Sequence, residues 1–310
     1  MKKVRYITDA AMISAIVIVL LLLSQWTGLE LEESFFFVLP APIALYALIH
    51  GAKKSLIPAF AIGLMSMIIH EPLHGLLFVM PACLLGVLYG FFVERGFSSA
   101  VKISLAVLGT FVVNVLTMVV FSQVLFGISI IDDTAAIVRT IVNALSFLNL
   151  GASFGALFEA LAIGLIPAII VTISLMEGLV MHILTIFLAT RVAKIDKLGV
   201  FHGFKVMIPQ VVSFIFVPIA VVTLIFIGRY LDLQGFWKIL LIVGINLCFT
   251  LFIVYIFEGL ALSALYFRSI GRPGLYSVAA LSAIILFPII FFVGLADSLF
   301  KLQDHLMMRN

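Results

Sequence analysis

Apolar residues run along this chain in long blocks divided by short polar breaks. The blocks are Ile7–Thr27, Ser34–Ile49, Ser55–Ile69, Gly75–Val93, Lys102–Phe126, about Ile163–Thr190, Val206–Gly228, Phe236–Phe267 and Leu275–Ala296. The breaks carry charges and turn formers, as in Gly51–Lys54, Glu94–Ser98, Gly127–Asp133 and Arg229–Gly235. About 20 apolar residues in a helix cross about 30 Å of hydrocarbon. The pattern therefore predicts an all-α, polytopic transmembrane helical bundle of eight or nine spans.

The polar breaks also set an orientation. Lys and Arg gather in cytoplasmic loops. With the N-terminus inside, 13 of the 18 Lys and Arg residues fall on the inner side and five on the outer. The opposite placement inverts that ratio, so a cytoplasmic N-terminus and a bacterial-type plasma membrane are expected. Basic Met1–Arg5 before Ala10–Leu23 resembles a signal peptide, but Ser24–Thr27 offers no small-x-small cleavage pattern. The first block reads as a retained span.

One stretch resists a simple count. From Ile137 to Thr190 only Arg139, Glu159 and Glu177 are ionised. As a single helix these 54 residues would reach about 80 Å, too long for one crossing. Two crossings would carry the basic group Arg191–Lys205 to the outside. The expectation is an external or re-entrant helix near Thr134–Leu150, followed by one crossing that ends at Arg191. A two-part organisation is also expected: residues 1–190, rich in short helices and turns, and residues 191–310, which add longer spans.

Composition supports the membrane reading. The 310 residues are 64% hydrophobic and 11% charged, against about 45–50% and 25% in soluble domains. A net charge of +3 without a basic cluster excludes a nucleic-acid partner. Membrane lipid is the implied surroundings. Cys83 and Cys248 sit inside apolar blocks and read as small core residues.

Motifs narrow the chemistry. Neither a Gly-x-x-x-x-Gly-Lys-Ser/Thr loop nor a Gly-x-Ser-x-Gly turn occurs. The chain reads as no enzyme, with no cofactor; uphill transport would draw on a gradient or another protein. His70-Glu71-Pro72-Leu73-His74 has the spacing of a zinc-protease helix, but Pro72 should end the helix there. A tight external turn is expected, with Pro72 opening the next helix. Prolines fall within or beside nearly every span, and Pro40-Ala41-Pro42 should prevent a regular helix in the second. Glu159, Glu177 and Glu258 lie in apolar sequence, where a carboxylate must face a cavity or a partner. Glu177 and His182 are about 140° apart on one helix and should serve different faces. Small residues four apart form stripes at Ala11/Ala15, at Ala82/Gly86/Gly90 and from Ala152 to Ala168. Such stripes pack helices closely, within the chain or against another subunit.

With Ala11/Ala15, the proline-rich second block and the Gly-punctuated helices through Gly90, residues 1–190 resemble the substrate-binding S component of energy-coupling-factor vitamin transporters. Including Arg272-Pro273-Gly274 and Gly294-Leu295-Ala296-Asp297, the whole chain resembles the YybS-like family of Firmicute membrane proteins. The first resemblance implies that Ala11 and Ala15 dock on a membrane coupling subunit. It also implies an outward-opening pocket for a small molecule, formed by Trp26, Asn114 and Gln123. Asn143 and Asn149 would form its lid and Glu159 its floor. The C-terminal helices depart from that plan. A solute-binding subunit or transporter is the leading expectation, and a non-transporting membrane scaffold or regulator the alternative.

Overall fold

The computed structural model describes residues 2–27, 38–69, 72–127, 129–144, 152–191, 209–227, 229–271 and 287–308. They form helices and turns, with no strand among them. Seven of these helices are long and apolar enough to cross a membrane. Three shorter apolar helices, Pro40–His50, Gly155–Gly164 and Phe287–Phe300, accompany them. The all-α polytopic bundle is as expected, but eight or nine full-length spans are not. The second block yields an 11-residue helix, about 16 Å long, and the last is described only from Phe287.

The helices are α1 (Lys2–Thr27), α2 (Pro40–His50), α3 (Ala52–Ile69), α4 (Met80–Glu94), α5 (Ser99–Val115), α6 (Ile130–Ala144) and α7 (Ala152–Gly164). After them come α8 (Ile166–Arg191), α9 (Gln210–Ile227), α10 (Gly235–Ser269), α11 (Phe287–Phe300) and α12 (Leu302–Met308). A wide π turn, Gly75–Val79, leads into α4, and another, Leu116–Phe121, follows α5. The chain divides into two compact units: Met1–Ile130 with Ile173–Val200, and Ile131–Thr172 with Phe201–Asn310.

Most prolines begin helices rather than interrupt them. Pro40 and Pro42 lie in the first turn of α2, and Pro81, Pro167 and Pro288 are each second in their helices. In α2 the missing N–H costs nothing, because first-turn amides have no partner within the helix; Pro81 instead follows the π turn, and Pro167 the break after α7. Regular helix therefore survives the Pro40-Ala41-Pro42 sequence. Pro58 and Pro218 are interior. The helix before the His70–His74 string ends at Ile69 and the next begins at Pro72, as expected; His70 and Glu71 lie outside the described residues.

In the first unit α2 lies against α4, and α3 packs on both α4 and α1. Val17, Leu21, Ile43, Ile62, Val79 and Cys83 form its main apolar core. The Ala82/Gly86/Gly90 stripe is where α4 meets α2. A Cβ on Gly86 would stand 2.4 Å from the Pro40 carbonyl oxygen, and one on Gly90 2.2 Å from Ala47 Cβ. That stripe serves packing inside the chain. At one end of the unit His50 bonds Asp9 at 2.8 Å, Lys54 lies over the Tyr6 ring, and the Ala52 amide donates to Glu94 at 3.1 Å. The start of α1 and two breaks that the charge count places on the cytoplasmic side thus converge on each other.

In the second unit α10 packs along α11, with α9 beside both. The crossing is set by two glycines. A Cβ on Gly294 would be 1.8 Å from the Tyr255 carbonyl oxygen, and one on Gly259 2.2 Å from that of Ile290. α7 joins α10 through Leu157 and Leu161, packed on Tyr230, Leu241 and Ile245. α6, near the expected external helix, is amphipathic: Ala135 and Val138 are buried, while Asp132 and Asp133 are exposed.

Candidate functional site

The densest polar contact in the first unit lies between α5 and α8. Residues three or four apart share one helix face, and Ser174, Gly178 and His182 therefore form one stripe on α8. Gly178 sits directly on the α5 backbone, where a Cβ would be 2.6 Å from the Val107 nitrogen. That approach brings polar side chains on both helices into reach. Thr110 donates to the Ser174 carbonyl at 2.8 Å. Asn114 is 4% exposed, and its amide nitrogen donates to Ser174 Oγ at 3.0 Å and Glu177 Oε2 at 2.7 Å. Both amide hydrogens are then used.

Glu177 is twelfth of the 26 residues of α8, close to the middle of the span, and is partly exposed. One turn along the stripe His182, 4% exposed, is hydrogen-bonded through Nδ1 to the Tyr89 hydroxyl. Lys102, 8% exposed, is within electrostatic reach of that ring. Glu177 and His182 thus serve different faces, as their spacing required, and each has its own partner. Tyr89 also edges an apolar groove of about 370 Å³ between α4 and α5.

Of the expected pocket residues in this unit, Asn114 alone is buried among polar partners. Trp26 is 78% exposed at the end of α1, and Gln123 is exposed in the turn of helix after α5. In the second unit Asn143 is exposed on α6. Glu159 is held by Arg139, whose Nε and Nη2 donate to its two oxygens at 3.0 and 2.7 Å. That hydrogen bonding raises the Arg139 guanidinium further above its usual range. A bidentate pair explains how Glu159 sits in apolar sequence. Asn149 lies outside the described residues. Ala11 and Ala15 are exposed on α1, on a face continued by Met12, Ile16 and Val19.

Two polar clusters of the second unit were not singled out in the sequence. Asn246 on α10 fills the break between α7 and α8: its oxygen accepts from the Ala168 amide at 2.8 Å and its nitrogen donates to the Gly164 carbonyl at 2.6 Å. Those two backbone groups would bond each other in an unbroken helix. A lone Asn in the apolar run Ile239–Phe257 was the available signal. The second cluster joins three helices: Ser213 of α9 bonds both Tyr255 of α10 and Ser298 of α11. Beside it Asp297 accepts from the backbone and side chain of Gln303. Glu258, 1% exposed, is one turn beyond Tyr255. It is about 35 Å along α10 from Gly235, more than the thickness of a hydrocarbon layer of about 30 Å, so it lies toward the far end of the span.

A family described as "Predicted membrane protein (DUF2232)" matches residues 15–298. No curated protein and no solved structure matches the chain. The match takes in six of the seven long spans whole and the second half of the first, together with Asn114, Glu177 and Asn246. The chain belongs to this family of predicted multi-pass membrane proteins.

Proposed function

We propose that the protein is a solute-binding subunit or transporter of a bacterial plasma membrane, with its solute bound at Asn114 and Glu177. The observation that carries this reading is a partly exposed carboxylate near the middle of a span, held by a buried amide at 2.7 Å. A carboxylate at that depth costs several kcal/mol unless it pairs, is protonated or lines a polar cavity. Asn114 supplies one neutral partner, which orients the carboxylate and leaves its charge for a ligand. A cationic or multiply hydrogen-bonding small molecule fits that chemistry. The resemblance of residues 1–190 to vitamin-transporter S components points the same way. On this reading the protein is not an enzyme.

The test is a thermal-shift screen of the purified protein in nanodiscs against cationic and polar small molecules. A stabilising compound is expected, with its shift lost in Glu177→Gln and Asn114→Leu while both variants keep their yield. A compound that stabilises all three proteins equally would move the site elsewhere.

The second reading is a scaffold or regulator, and one observation favours it. The exposed face of α1 carries Ala11 and Ala15 in a smooth apolar strip where another helix could approach closely. A membrane partner that co-purifies with wild type and is lost in Ala11→Leu/Ala15→Leu, together with no ligand in the screen, would establish it. A coupling subunit lost in the same way, with a ligand found, would join the two readings.

A further inference from the structure

The hairpin of α9 and α10 holds a cavity of about 670 Å³, apart from the polar clusters described above. No charged residue occurs in α9, nor in α10 from Ile239 to Phe257, so both helices can face lipid. They touch at Gly244, where a Cβ would be 2.8 Å from Thr223 Oγ1. Beside that contact Val222 and Phe226 form one wall of a groove, Trp237, Leu240 and Leu247 the other. Thr223 is the polar side chain of the floor, and the Cys248 thiol already donates to it at 3.9 Å. The lining therefore asks for an apolar occupant.

Length, lining and charge select the occupant. Trp237 to Leu247 spans about 15 Å along the helix, half of a hydrocarbon core about 30 Å thick and so the depth of one leaflet. Apart from Thr223 the groove presents aliphatic and aromatic side chains over that depth, which suits a hydrocarbon chain of one leaflet. Trp237, 64% exposed, stands at the mouth, as tryptophans do at the membrane–water boundary. There Lys238 Nζ lies 5.0 Å over the ring of buried Tyr230, and Arg229 is exposed in the turn. With Asp232 the turn carries one net positive charge, and no carboxylate lines the groove.

We propose that this groove is a lipid site, in which one acyl chain of an anionic phospholipid lies between α9 and α10 and its phosphate meets Arg229 and Lys238. The test is native mass spectrometry of the full chain, with phosphatidylglycerol and phosphatidylcholine of the same acyl chains supplied in turn. Wild type is expected to retain one phosphatidylglycerol at least fivefold better than phosphatidylcholine. Val222→Trp fills the groove from one wall and should lose that lipid, while Val222→Ala keeps it. Arg229→Gln/Lys238→Gln should bind the two lipids equally. Melting temperatures of all variants check the fold, and Leu240→Trp, from the opposite wall, serves if Val222→Trp does not fold. Equal retention of the two lipids by wild type would overturn the proposal, as would undiminished binding in the filled variants. So would a dimer that Val222→Trp dissolves, because a second copy would then occupy the groove.

Discussion

Asn246 shows what a single amide can do inside an apolar bundle. Its three hydrogen bonds, to Ala168, Gly164 and Ile242, close a helix break that water cannot reach in a bilayer. Such bonds average about 0.6 kcal/mol each in membrane proteins, so Asn246→Ala should cost about 2 kcal/mol in a detergent unfolding titration. The break begins at Pro167, whose ring crowds the preceding turn. In the Asn246→Ala background, Pro167→Ala should recover about half of the loss, because the Ala168 amide could again donate to the Gly164 carbonyl. Additive effects of the two substitutions would mean that the amide and the break are not coupled. Glu159 follows the same rule by other means: Arg139 satisfies both of its oxygens.

At the scale of helices, glycine decides which pairs come close. Gly178 seats α8 on α5, and Gly259 with Gly294 seats α10 on α11. Between helices in lipid no hydrophobic force drives association, so close backbone contact supplies much of the attraction. Gly294→Ala places a methyl group 1.8 Å from a carbonyl oxygen. It should cost about 3 kcal/mol or more, at the upper end of overpacking. Gly164→Ala is the control: its nearest neighbour, the Tyr230 hydroxyl, is 3.5 Å away, an ordinary contact. Its effect should stay below about 1 kcal/mol. Equal melting temperatures for the two variants would contradict the crossing geometry. The Ala11/Ala15 face of α1 is of the same small-residue type but is covered by no helix among the described residues of its unit, and this is why it stays a docking candidate.

For the molecule as a whole, the side of each loop can be tested directly. In a Cys83→Ala/Cys248→Ala background, single cysteines at Lys53 and Arg95 should resist an impermeant thiol reagent in intact cells. A cysteine at Asp132 should react. The convergence of Asp9, His50, Lys54 and Glu94 at one end of the first unit requires Lys53 and Arg95 to behave alike. Labelling of one without the other would break that arrangement, and labelling of both would reverse the orientation. The polar breaks expected around Glu32 and Lys197 lie outside the described residues.

By itself the sequence determined that this chain is an all-α membrane protein, where most of its long helices begin and end, and that Pro72 opens a helix. These properties are local: apolar run length fixes a span, and proline fixes a first turn wherever the chain goes next. It also flagged Glu177 and His182 as residues of different faces, since helical geometry alone separates them. The tertiary structure decided what those faces meet. Asn114 reaches Glu177 from 63 residues away and Asn246 reaches Gly164 from 82; nothing in a periodic apolar pattern encodes such pairings. It likewise separated the Ala82–Gly90 stripe, consumed by packing on α2, from Ala11/Ala15, left exposed. Identical small-residue spacing permits close approach in both cases, and only the arrangement of the other helices determines whether a neighbour is there to make it.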